Sequence, residues 1–527
     1  MDASLVQGRL GNCAAIVAVR PAAERVVTRP VATRPVATRP KVPNRILRCL
    51  LAEAGWTEDF LARQVNAVAA ESGLVLRLDR RSVTHWLAGR LPRSPVPELI
   101  AEALSRGLRR SVGVADLGLG APVASPSEPV PDLGGPVAGL AGREGSALPR
   151  DVGSVLTGLA QYDEGPRRIL PTTAYRLAAL AVPGWTQAAA RLCPIPEAAS
   201  GLAPWPDASC AQRLQPGQVA TAEQMVRVFS DNDDSFGGGR AREELSCYLA
   251  FDIVPRLRAA GPPALRRRFF SAATQLVYLA AFMCFDDERH GLAQRYYLAA
   301  LELATENSDP VGYAVSVRGL SVQARALGHH RHAVELAETA VRISRSTTGP
   351  ARQAFLLGQV AVAAAAAGDR RHALTTISAA ERRLDQACSP ATASPATADP
   401  ARGDPSTGRY HPAALAHQQA TVRALLGDKR GAITALTEAV RYRPPWERRS
   451  RALIHARLAE LHLEQGHLDQ AVTTWHAFLD DYSFLTCGRA TTALKVLRSR
   501  LQPRGANPAV RQLLARTTTW TQARAAS

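Results

Sequence analysis

Residues 78–92 read Leu-Asp-Arg-Arg-Ser-Val-Thr-His-Trp-Leu-Ala-Gly-Arg-Leu-Pro, and this stretch predicts a short helix with well-defined ends. Asp79 stands where a side-chain oxygen can accept a hydrogen bond from a free backbone N–H of the first turn. Gly89 occupies a position that favours a left-handed residue after a helix, and Pro92 prevents the helix from continuing. We therefore expect a helix that begins after Asp79 and ends before Gly89.

The two faces of this helix differ in chemistry. Val83, Trp86 and Leu87 are spaced i, i+3 and i+4, so they share an apolar face that would be buried. The opposite face carries four polar side chains, Arg80, Arg81, Thr84 and His85. A helix held by its apolar face and presenting such groups suits the major groove of DNA, where base edges are read. The alternative is a small helical bundle without affinity for DNA.

Helices predicted on both sides make this interpretation more specific. Residues 57–63 have the features of a capped helix start with acids in the first turn, and residues 96–104 form an amphipathic helix. The order of elements resembles repressor-type helix-turn-helix domains of the lambda-repressor-like class across residues 43–119, in Leu61-Ala62, Val83…Trp86, Gly89…Pro92 and Ile100-Ala101…Leu104. The resemblance implies a helix-turn-helix core of Leu61, Val83, Trp86 and Leu87.

Two features depart from that family. Residues 66–77 separate the two central helices by more than a tight turn, so the second helix must be extended or followed by a loop. Leu87 replaces the glutamate that usually follows the tryptophan. Contacts to base edges are expected from the polar face, that is, from Arg80, Arg81, Thr84 and His85. Phosphate contacts are expected from arginines at helix ends and in loops, Arg63, Arg90 and Arg93.

Length and composition limit the class of protein. A chain of 527 residues is long enough for about three domains. Its net charge of +18 is spread along the sequence, so only the concentration of arginine within residues 77–93 favours nucleic acid. The eight cysteines form no CxxC pair, which favours free thiols in a reducing cytoplasm. No apolar run reaches the roughly 18 residues that predict a membrane span.

Composition also suggests domain boundaries. Residues 1–43, with a repeated Val-Ala-Thr-Arg-Pro unit, are expected to form a disordered basic arm, and residues 120–149 a linker rich in Pro, Gly, Ala and Ser. Residues 150–219 are expected to be a helical connector. Within it, Arg167-Arg168 before an apolar stretch is similar to a twin-arginine export signal, but such signals are read at the N terminus. We therefore favour a helix that packs on the C-terminal domain, and an exported or envelope-associated repeat protein is the weaker alternative.

From residue 220 to residue 527 a repeated pattern predicts helical hairpins. In four segments a glycine is followed five residues later by an alanine, namely Gly328/Ala333, Gly368/Ala373, Gly427/Ala432 and Gly466/Ala471. A weaker first copy has Glu288 before Ala293. A small residue seven positions after the alanine lets paired helices approach closely in four copies, Ala300, Ala340, Ala380 and Ala439, whereas the fifth has Phe478. Residues 389–406 are expected to be a disordered insertion.

This pattern resembles tetratricopeptide repeats, helix hairpins that stack into a curved solenoid, although the period is about 40 residues instead of about 34. HEAT-like hairpins are the alternative. The resemblance implies a concave partner groove lined by the first helix of each hairpin. The groove residues are expected to be Tyr278, Phe282, Arg318, Arg325 and His417. Basic and aromatic groups there favour an acidic partner or a C-terminal carboxylate.

Patterns for metal binding or catalysis are weak. Residues 231–239 read Asp-Asn-Asp-Asp-Ser-Phe-Gly-Gly-Gly and fit an EF-hand frame poorly, so a turn between two helices is favoured. His329-His330-Arg331-His332 is expected at an exposed hairpin turn, without metal-ligand spacing. No nucleophile elbow, kinase signature or HExxH motif is present. We therefore expect no enzyme activity, no cofactor and no metal.

The sequence predicts an all-α protein with an N-terminal helix-turn-helix bundle (44–119), a linker and a C-terminal tetratricopeptide-like α-solenoid (220–527). The combination resembles the helix-turn-helix/tetratricopeptide transcriptional regulators of filamentous, high-GC bacteria. That resemblance implies a cytoplasmic DNA-binding regulator, not bound to a membrane, whose solenoid binds a protein or peptide or mediates self-association, for example as a homodimer. The competing class is an interaction scaffold whose N-terminal bundle does not bind DNA.

Overall fold

The computed structural model describes residues 43–71, 74–108, 110, 112–119, 152–163, 175–190, 213–345, 347–388 and 410–526. Across these residues the protein consists of helices and connecting turns and contains no β-strand, so the all-α prediction is confirmed for this part of the chain. Four predicted features lie outside the described residues, namely the basic arm up to residue 42, the linker at 120–149, Arg167-Arg168 and the insertion at 389–406.

The N-terminal bundle begins at Asn44. Its helices are α1 (Arg45–Ala54), α2 (Glu58–Glu71), α3 (Arg80–Leu87) and α4 (Val96–Leu108), followed by a 3₁₀ turn at Val114–Leu117. Apolar side chains from all of these elements pack into one core. The Asn44 side chain accepts a hydrogen bond from the Leu47 N–H (2.9 Å) and donates one to the Leu117 carbonyl (2.8 Å). Asn44 thereby caps α1 and ties it to the end of the bundle.

The long connection between α2 and α3 has two parts. Helix α2 extends to Glu71, and residues 74–79 then run to α3 without regular secondary structure. The Asn66 side chain donates to the Leu78 carbonyl (2.9 Å) and accepts from the Leu78 N–H (3.1 Å). The expectation of an extended second helix or a following loop is confirmed, because both occur.

The middle segment connects the bundle to the later helices. It contains α5 (Val152–Asp163), a 3₁₀ turn at Leu177–Leu180 and α6 (Trp185–Ala190). The Leu177 N–H donates to the Glu102 carboxylate of α4 (3.0 Å). A helix was expected in the apolar stretch after Arg167-Arg168. The described part of that stretch contains the 3₁₀ turn instead of an α-helix, and this turn does pack on the later helices.

The C-terminal part is a series of helices joined mostly by short turns. It starts with α7 (Pro216–Phe236), α8 (Gly238–Tyr248), a π-helical turn at Leu249–Ile253 and α9 (Val254–Leu257). The hairpins follow as α10 (Pro263–Asp286) with α11 (His290–Glu306), α12 (Pro310–Ala326) with α13 (His330–Ser344), α14 (Pro350–Ala366) with α15 (Arg370–Cys388), α16 (Pro412–Leu425) with α17 (Lys429–Tyr442), and α18 (Arg448–Glu464) with α19 (Leu468–Tyr482). Helices α20 (Gly488–Leu501) and α21 (Pro508–Ala526) complete it. The expected boundary between residues 219 and 220 falls inside α7.

The turn inside each hairpin accounts for the glycine–alanine pattern. Gly328, Gly368, Gly427 and Gly466 have φ of 84°, 86°, 88° and 82°, a conformation that glycine adopts without steric cost. Glu288 takes the same left-handed conformation, with φ of 60°, in the first hairpin. The alanines five residues later are fully buried, namely Ala293, Ala333, Ala373, Ala432 and Ala471. The prediction of five helical hairpins at these positions is confirmed.

The series of hairpins closes on itself. Helix α18 packs against α7, and Thr486, which follows α19, donates to the Phe236 carbonyl (2.7 Å) and accepts from the Gly239 N–H (2.9 Å). Gly237 has φ of 80°, and a Cβ at this position would lie 2.8 Å from the Thr486 carbonyl oxygen. The run of glycines thus permits the close approach of the last hairpin to the first helices. We call the closed arrangement of α7 and α10–α20 the ring.

Helix α10 is the one helix among the described residues whose length and apolar composition would allow it to cross a membrane. Within the structure, 72% of its most apolar window is buried. The core helix of a globular protein has the same length and composition, so this observation is weak support for a membrane location.

Candidate functional site

Helix α3 has the ends and faces expected from the sequence. The Asp79 side chain accepts a hydrogen bond from the Ser82 N–H (2.9 Å), and Gly89 has φ of 90°. The apolar side chains Leu61, Val83, Trp86 and Leu87 are buried in the bundle core. The polar side chains Arg80, Arg81, Thr84 and His85 are exposed. The bundle therefore holds α3 rigidly and leaves its polar face open to solvent.

Glu58 at the start of α2 contacts this polar face. Its carboxylate accepts a hydrogen bond from the Thr84 hydroxyl (2.8 Å) and lies 3.4 Å from the Arg80 Nε. Sequence reasoning missed this residue because nothing in the local pattern indicates a contact across 26 residues of chain. Arg81 and His85 are left as the members of the face that do not contact Glu58.

The three arginines assigned to phosphate contacts are also exposed. Arg90 and Arg93 lie in the segment between α3 and α4, and Arg63 lies on α2, where it forms an ion pair with Asp59. Arg63 also stacks over the Phe60 ring, with 5.7 Å between its guanidinium carbon and the ring centroid. All three are sterically accessible to a nucleic-acid backbone.

The five residues assigned to a partner groove line a single cavity. Tyr278 and Phe282 come from α10, Arg318 and Arg325 from α12, and His417 from α16. The cavity has a volume of about 300 Å³ and is surrounded by helices of the ring. The groove expected from the repeat pattern was an open concave surface. The structure differs because the ring closes, so these half-buried residues line a partly open cavity inside it.

Other residues of the cavity lie beyond those that the sequence suggested. The additional aromatic and charged side chains are Phe355, Tyr410, Arg443, Arg449, Arg489, Asp233, Asp234 and Glu447. Phe355 and Arg449 lie on the first helices of their hairpins, so a complete reading of the repeat positions would have found them. Five arginines line the cavity in total. One of them, Arg443, forms an ion pair with Glu447 (2.5 Å).

A buried charge cluster joins the two ends of the ring. Arg449 of α18 lies 3.2 Å from the Asp233 carboxylate and 3.0 Å from that of Asp234, both in the last turn of α7. Arg489 of α20 forms an ion pair with Asp286 of α10. We call these five residues the closure cluster. Burial raises the pKa of Asp233 in spite of the opposing effect of Arg449, whereas Arg489 and Arg449 outweigh burial and lower the pKa of Asp286.

Arg318 and Arg325 have no such partners. Among the described residues neither forms an ion pair, and the Nε–H of each is buried without a hydrogen-bond acceptor. The Arg318 guanidinium stacks on Phe355, with 3.6 Å to the ring centroid, and contacts the Tyr278 hydroxyl. Burial lowers the pKa of both arginines. They are the cavity cations that lack a carboxylate.

The cavity also lowers the pKa of the His417 side chain. Burial lowers its pKa to about 3, and the positive charges of Arg443, Arg489 and Arg325 contribute to the decrease. The side chain is therefore neutral at physiological pH.

The residues of the two weak metal patterns have structural roles. Asp233 and Asp234 end α7 and bind Arg449, and no group of three or more His, Cys, Asp or Glu side chains within the described ranges could hold a metal ion. The expectation of an exposed histidine turn is wrong for His329. Its ring stacks on Tyr175 with 5.6 Å between centroids, and burial lowers its pKa to about 3.

Comparison with known proteins gives one partial match. The family described as the SP15 N-terminal domain matches residues 47–120. This segment spans nearly the whole of α1–α4 and includes the 3₁₀ turn at Val114–Leu117. No curated protein matches the chain. The N-terminal bundle is thus similar to the SP15 N-terminal domain, and the match does not extend to the ring.

Proposed function

We propose that the protein is a DNA-binding transcriptional regulator. In this proposal residues 44–119 are a helix-turn-helix domain of the lambda-repressor-like class, connected by a linker to a tetratricopeptide-like α-solenoid at 220–527. The observation that supports it best is the exposed polar face of α3, formed by Arg80, Arg81, Thr84 and His85, opposite a packed apolar face.

The chemistry of this face suits sequence readout. Arginine can donate two hydrogen bonds to guanine O6 and N7, and histidine and threonine can bond base edges as well. Arg63, Arg90 and Arg93 are accessible for contacts to phosphates, which position a protein on DNA without reading the sequence. Trp86, buried at 6% exposure, fixes the orientation of the helix and limits the entropy lost on binding.

In the same proposal the ring receives the regulatory signal, in the cytoplasm. The outer surface of the hairpins is available to a protein or peptide partner or to a second copy of the chain in a homodimer. The cavity at the centre offers a different kind of site, for a small molecule. Neither role requires catalysis, a cofactor or attachment to a membrane.

An interaction scaffold without DNA affinity is the second candidate, and Glu58 favours it. Its carboxylate contacts the Thr84 hydroxyl and the Arg80 guanidinium. It also places a negative charge on the face of α3 that would meet the DNA phosphates. The proposals differ in one property, which is whether the full chain selects DNA by sequence.

Selection from genomic DNA tests this difference. The purified full chain is incubated with fragments of the source genome at moderate salt, and the bound fragments are sequenced. The regulator proposal expects recovered fragments that share a sequence motif. Recovery of no fragments above background, even at low salt, would favour the scaffold, and recovery without any shared motif would contradict sequence-specific regulation. No sequence feature supports export beyond Arg167-Arg168, so an envelope protein is the weakest proposal.

A further inference from the structure

We propose that the cavity of the ring binds a small organic anion with an apolar or aromatic body, and that Arg318 and Arg325 hold its negative charge. The inference deepens the signal-receiving part of the proposed function and rests on that part alone. It concerns α10, α12, α14 and α16, which are separate from the DNA-binding face of α3.

Size favours a small molecule over a protein segment. The cavity holds about 300 Å³, which is at the lower end of the roughly 300–1,000 Å³ found for small-molecule sites. The ring is closed by two backbone hydrogen bonds, one from the Thr486 N–H to the Phe236 carbonyl and one from the Gly239 N–H to the Thr486 carbonyl. A folded partner does not fit such a space, whereas a metabolite of moderate size does.

Charge favours an anion. Arg443 is paired with Glu447, and Arg449 and Arg489 are paired within the closure cluster. Arg318 and Arg325 remain without a carboxylate partner among the described residues, and each has a buried, unbonded Nε–H. A buried charged group without a partner is costly, so it is retained where something else compensates it. A carboxylate, phosphate or sulfonate would supply both the charge and the missing acceptors.

The side chains around the two arginines indicate that the rest of the ligand is apolar. Phe355 lies under Arg318 and packs edge-to-face on Tyr410, with 5.5 Å between ring centroids. Tyr278 and the aliphatic side chains of Val322 and Val362 complete the apolar surface near the arginines. This combination of aromatic walls and two cations suits a ligand that carries one anionic group on a hydrophobic body.

A matched pair of fluorescent probes tests the inference on the full chain. 8-Anilinonaphthalene-1-sulfonate and N-phenyl-1-naphthylamine share an aromatic body and differ in the sulfonate. The wild-type chain should bind the sulfonate probe at one saturable site, about tenfold or more tightly than the neutral probe, because each charge-assisted hydrogen bond in a desolvated site contributes substantially.

Substitutions assign this preference to the two arginines. The double variant Arg318→Met/Arg325→Met should lose the preference for the sulfonate and keep the affinity for the neutral probe. The matched control Arg331→Met/Arg342→Met, on the exposed surface of α13 in the same hairpin, should behave as the wild type. Arg318→Lys/Arg325→Lys retains the charges and should retain most of the preference.

Thermal unfolding separates a ligand site from a packing role. If the arginines serve a ligand, Arg318→Met/Arg325→Met should unfold at the wild-type temperature or above it, because two half-buried charges without a carboxylate partner are removed. A lower unfolding temperature or a failure to fold would overturn the inference, since the arginines would then support the ring. Equal affinity for both probes, or a sulfonate preference that persists in the double methionine variant, would also overturn it. The titration contains no DNA, so its outcome is independent of sequence-specific DNA binding.

Discussion

Glu58 determines how much of the α3 face DNA could reach. Its carboxylate bonds the Thr84 hydroxyl and lies beside the Arg80 guanidinium. Docking on phosphates would either break these contacts or bring the carboxylate close to a negative backbone. Both cost free energy. The Glu58 side chain therefore opposes the DNA binding that we propose for the residues around it.

We predict that Glu58→Gln strengthens DNA binding. The change removes one negative charge and releases Arg80, and an interaction of ~1 kcal/mol between nearby charges in water corresponds to about a fivefold gain in affinity. Glu53→Gln on α1 is the control, because Glu53 is an acid of the same bundle that pairs with Arg110 and does not contact α3. Fluorescence anisotropy with a labelled duplex measures both variants. Unchanged or weaker binding by Glu58→Gln would show that Glu58 does not restrain the face.

Single residues were predictable where the signal is local. Asp79 and Gly89 mark the ends of α3 because capping and left-handed turns depend on residues within the same turn. Glu288 was recognised by its position five residues before Ala293, and it takes the positive φ of that position. The contact between Glu58 and Thr84 was not predictable, because it depends on how two helices cross.

At the scale of elements, the closure cluster holds the first and last helices of the ring together. Three carboxylates and two guanidinium groups meet there, and Asp286 is fully buried. Such a cluster as a whole adds little to the free energy of unfolding, because desolvation offsets the attraction between its charges. Removing one charge is nevertheless destabilising, since it leaves the others buried and unpaired.

We predict that Arg449→Met destabilises the protein by about 3–5 kcal/mol, because Asp233 and Asp234 would lose their cation. Arg457→Met, on the same helix, is the control. Arg457 is largely exposed and pairs with Glu460, so its loss should cost no more than about 1 kcal/mol. Urea denaturation followed by circular dichroism compares the two free energies of unfolding. Equal stabilities would mean that the cluster does not hold the ring.

The hairpins were predictable as elements, and their closure contacts were not. The glycine–alanine spacing predicts each turn because it reflects the geometry of one hairpin. The turn expected over residues 231–239 is confined to Gly237, because residues 231–236 belong to α7 and α8 begins at Gly238. The close approach of Gly237 and Gly239 to Thr486 involves a residue almost 250 positions away, so no local pattern indicates this contact.

At the scale of the whole molecule, residues 175–180 connect the bundle to the ring. The Leu177 N–H donates a hydrogen bond to the Glu102 carboxylate of α4. The Arg176 N–H donates to the Gln294 side chain of α11, and that side chain donates to the Arg176 carbonyl, both at 2.8 Å. Tyr175 stacks on His329 and lies beneath Arg106 of α4. A change in the ring therefore has a short physical route to the bundle.

We predict that the His329–Tyr175 contact makes the protein less stable in acid. The folded-state pKa of His329 is about 3, against an ordinary value of 6.5, so the unfolded chain binds a proton that the folded chain excludes. Stability is then complete above about pH 6.5 and is lost as the pH falls toward 3, by no more than about 2 kcal/mol down to pH 5.

The variant His329→Phe should remove part of this loss. Phenylalanine preserves the stacking on Tyr175, and no hydrogen bond is lost at Nε2, which has no partner among the described residues. His467→Phe is the matched control, since His467 follows Gly466 as His329 follows Gly328 but is exposed. Thermal unfolding at pH 5 and pH 7 compares them. An acid sensitivity of His329→Phe equal to that of the control would contradict the assignment.

Ring closure was the feature least accessible from the sequence. Each hairpin adds a small rotation, and the sum over the series decides between an open groove and a closed ring. The five expected groove residues do meet at one site, because the first helix of each hairpin faces the same axis. Closure of the ring turns the expected groove into a cavity, and the size of this cavity limits which ligands fit. Because closure depends on all of the hairpins together, the kind of ligand could not be predicted from any one of them.

The measurement that tests the central claim most directly is a salt-titrated gel shift of the full chain on a fragment recovered from genomic selection. Wild type is compared with Arg81→Ala and Arg93→Ala. Arg81→Ala should reduce discrimination between this fragment and a scrambled one by about 1–3 kcal/mol, whereas Arg93→Ala should weaken both alike and lower the salt slope by about one. If the wild-type chain binds the two fragments equally even at low salt, or if Arg81→Ala discriminates as the wild type does, α3 does not read DNA sequence.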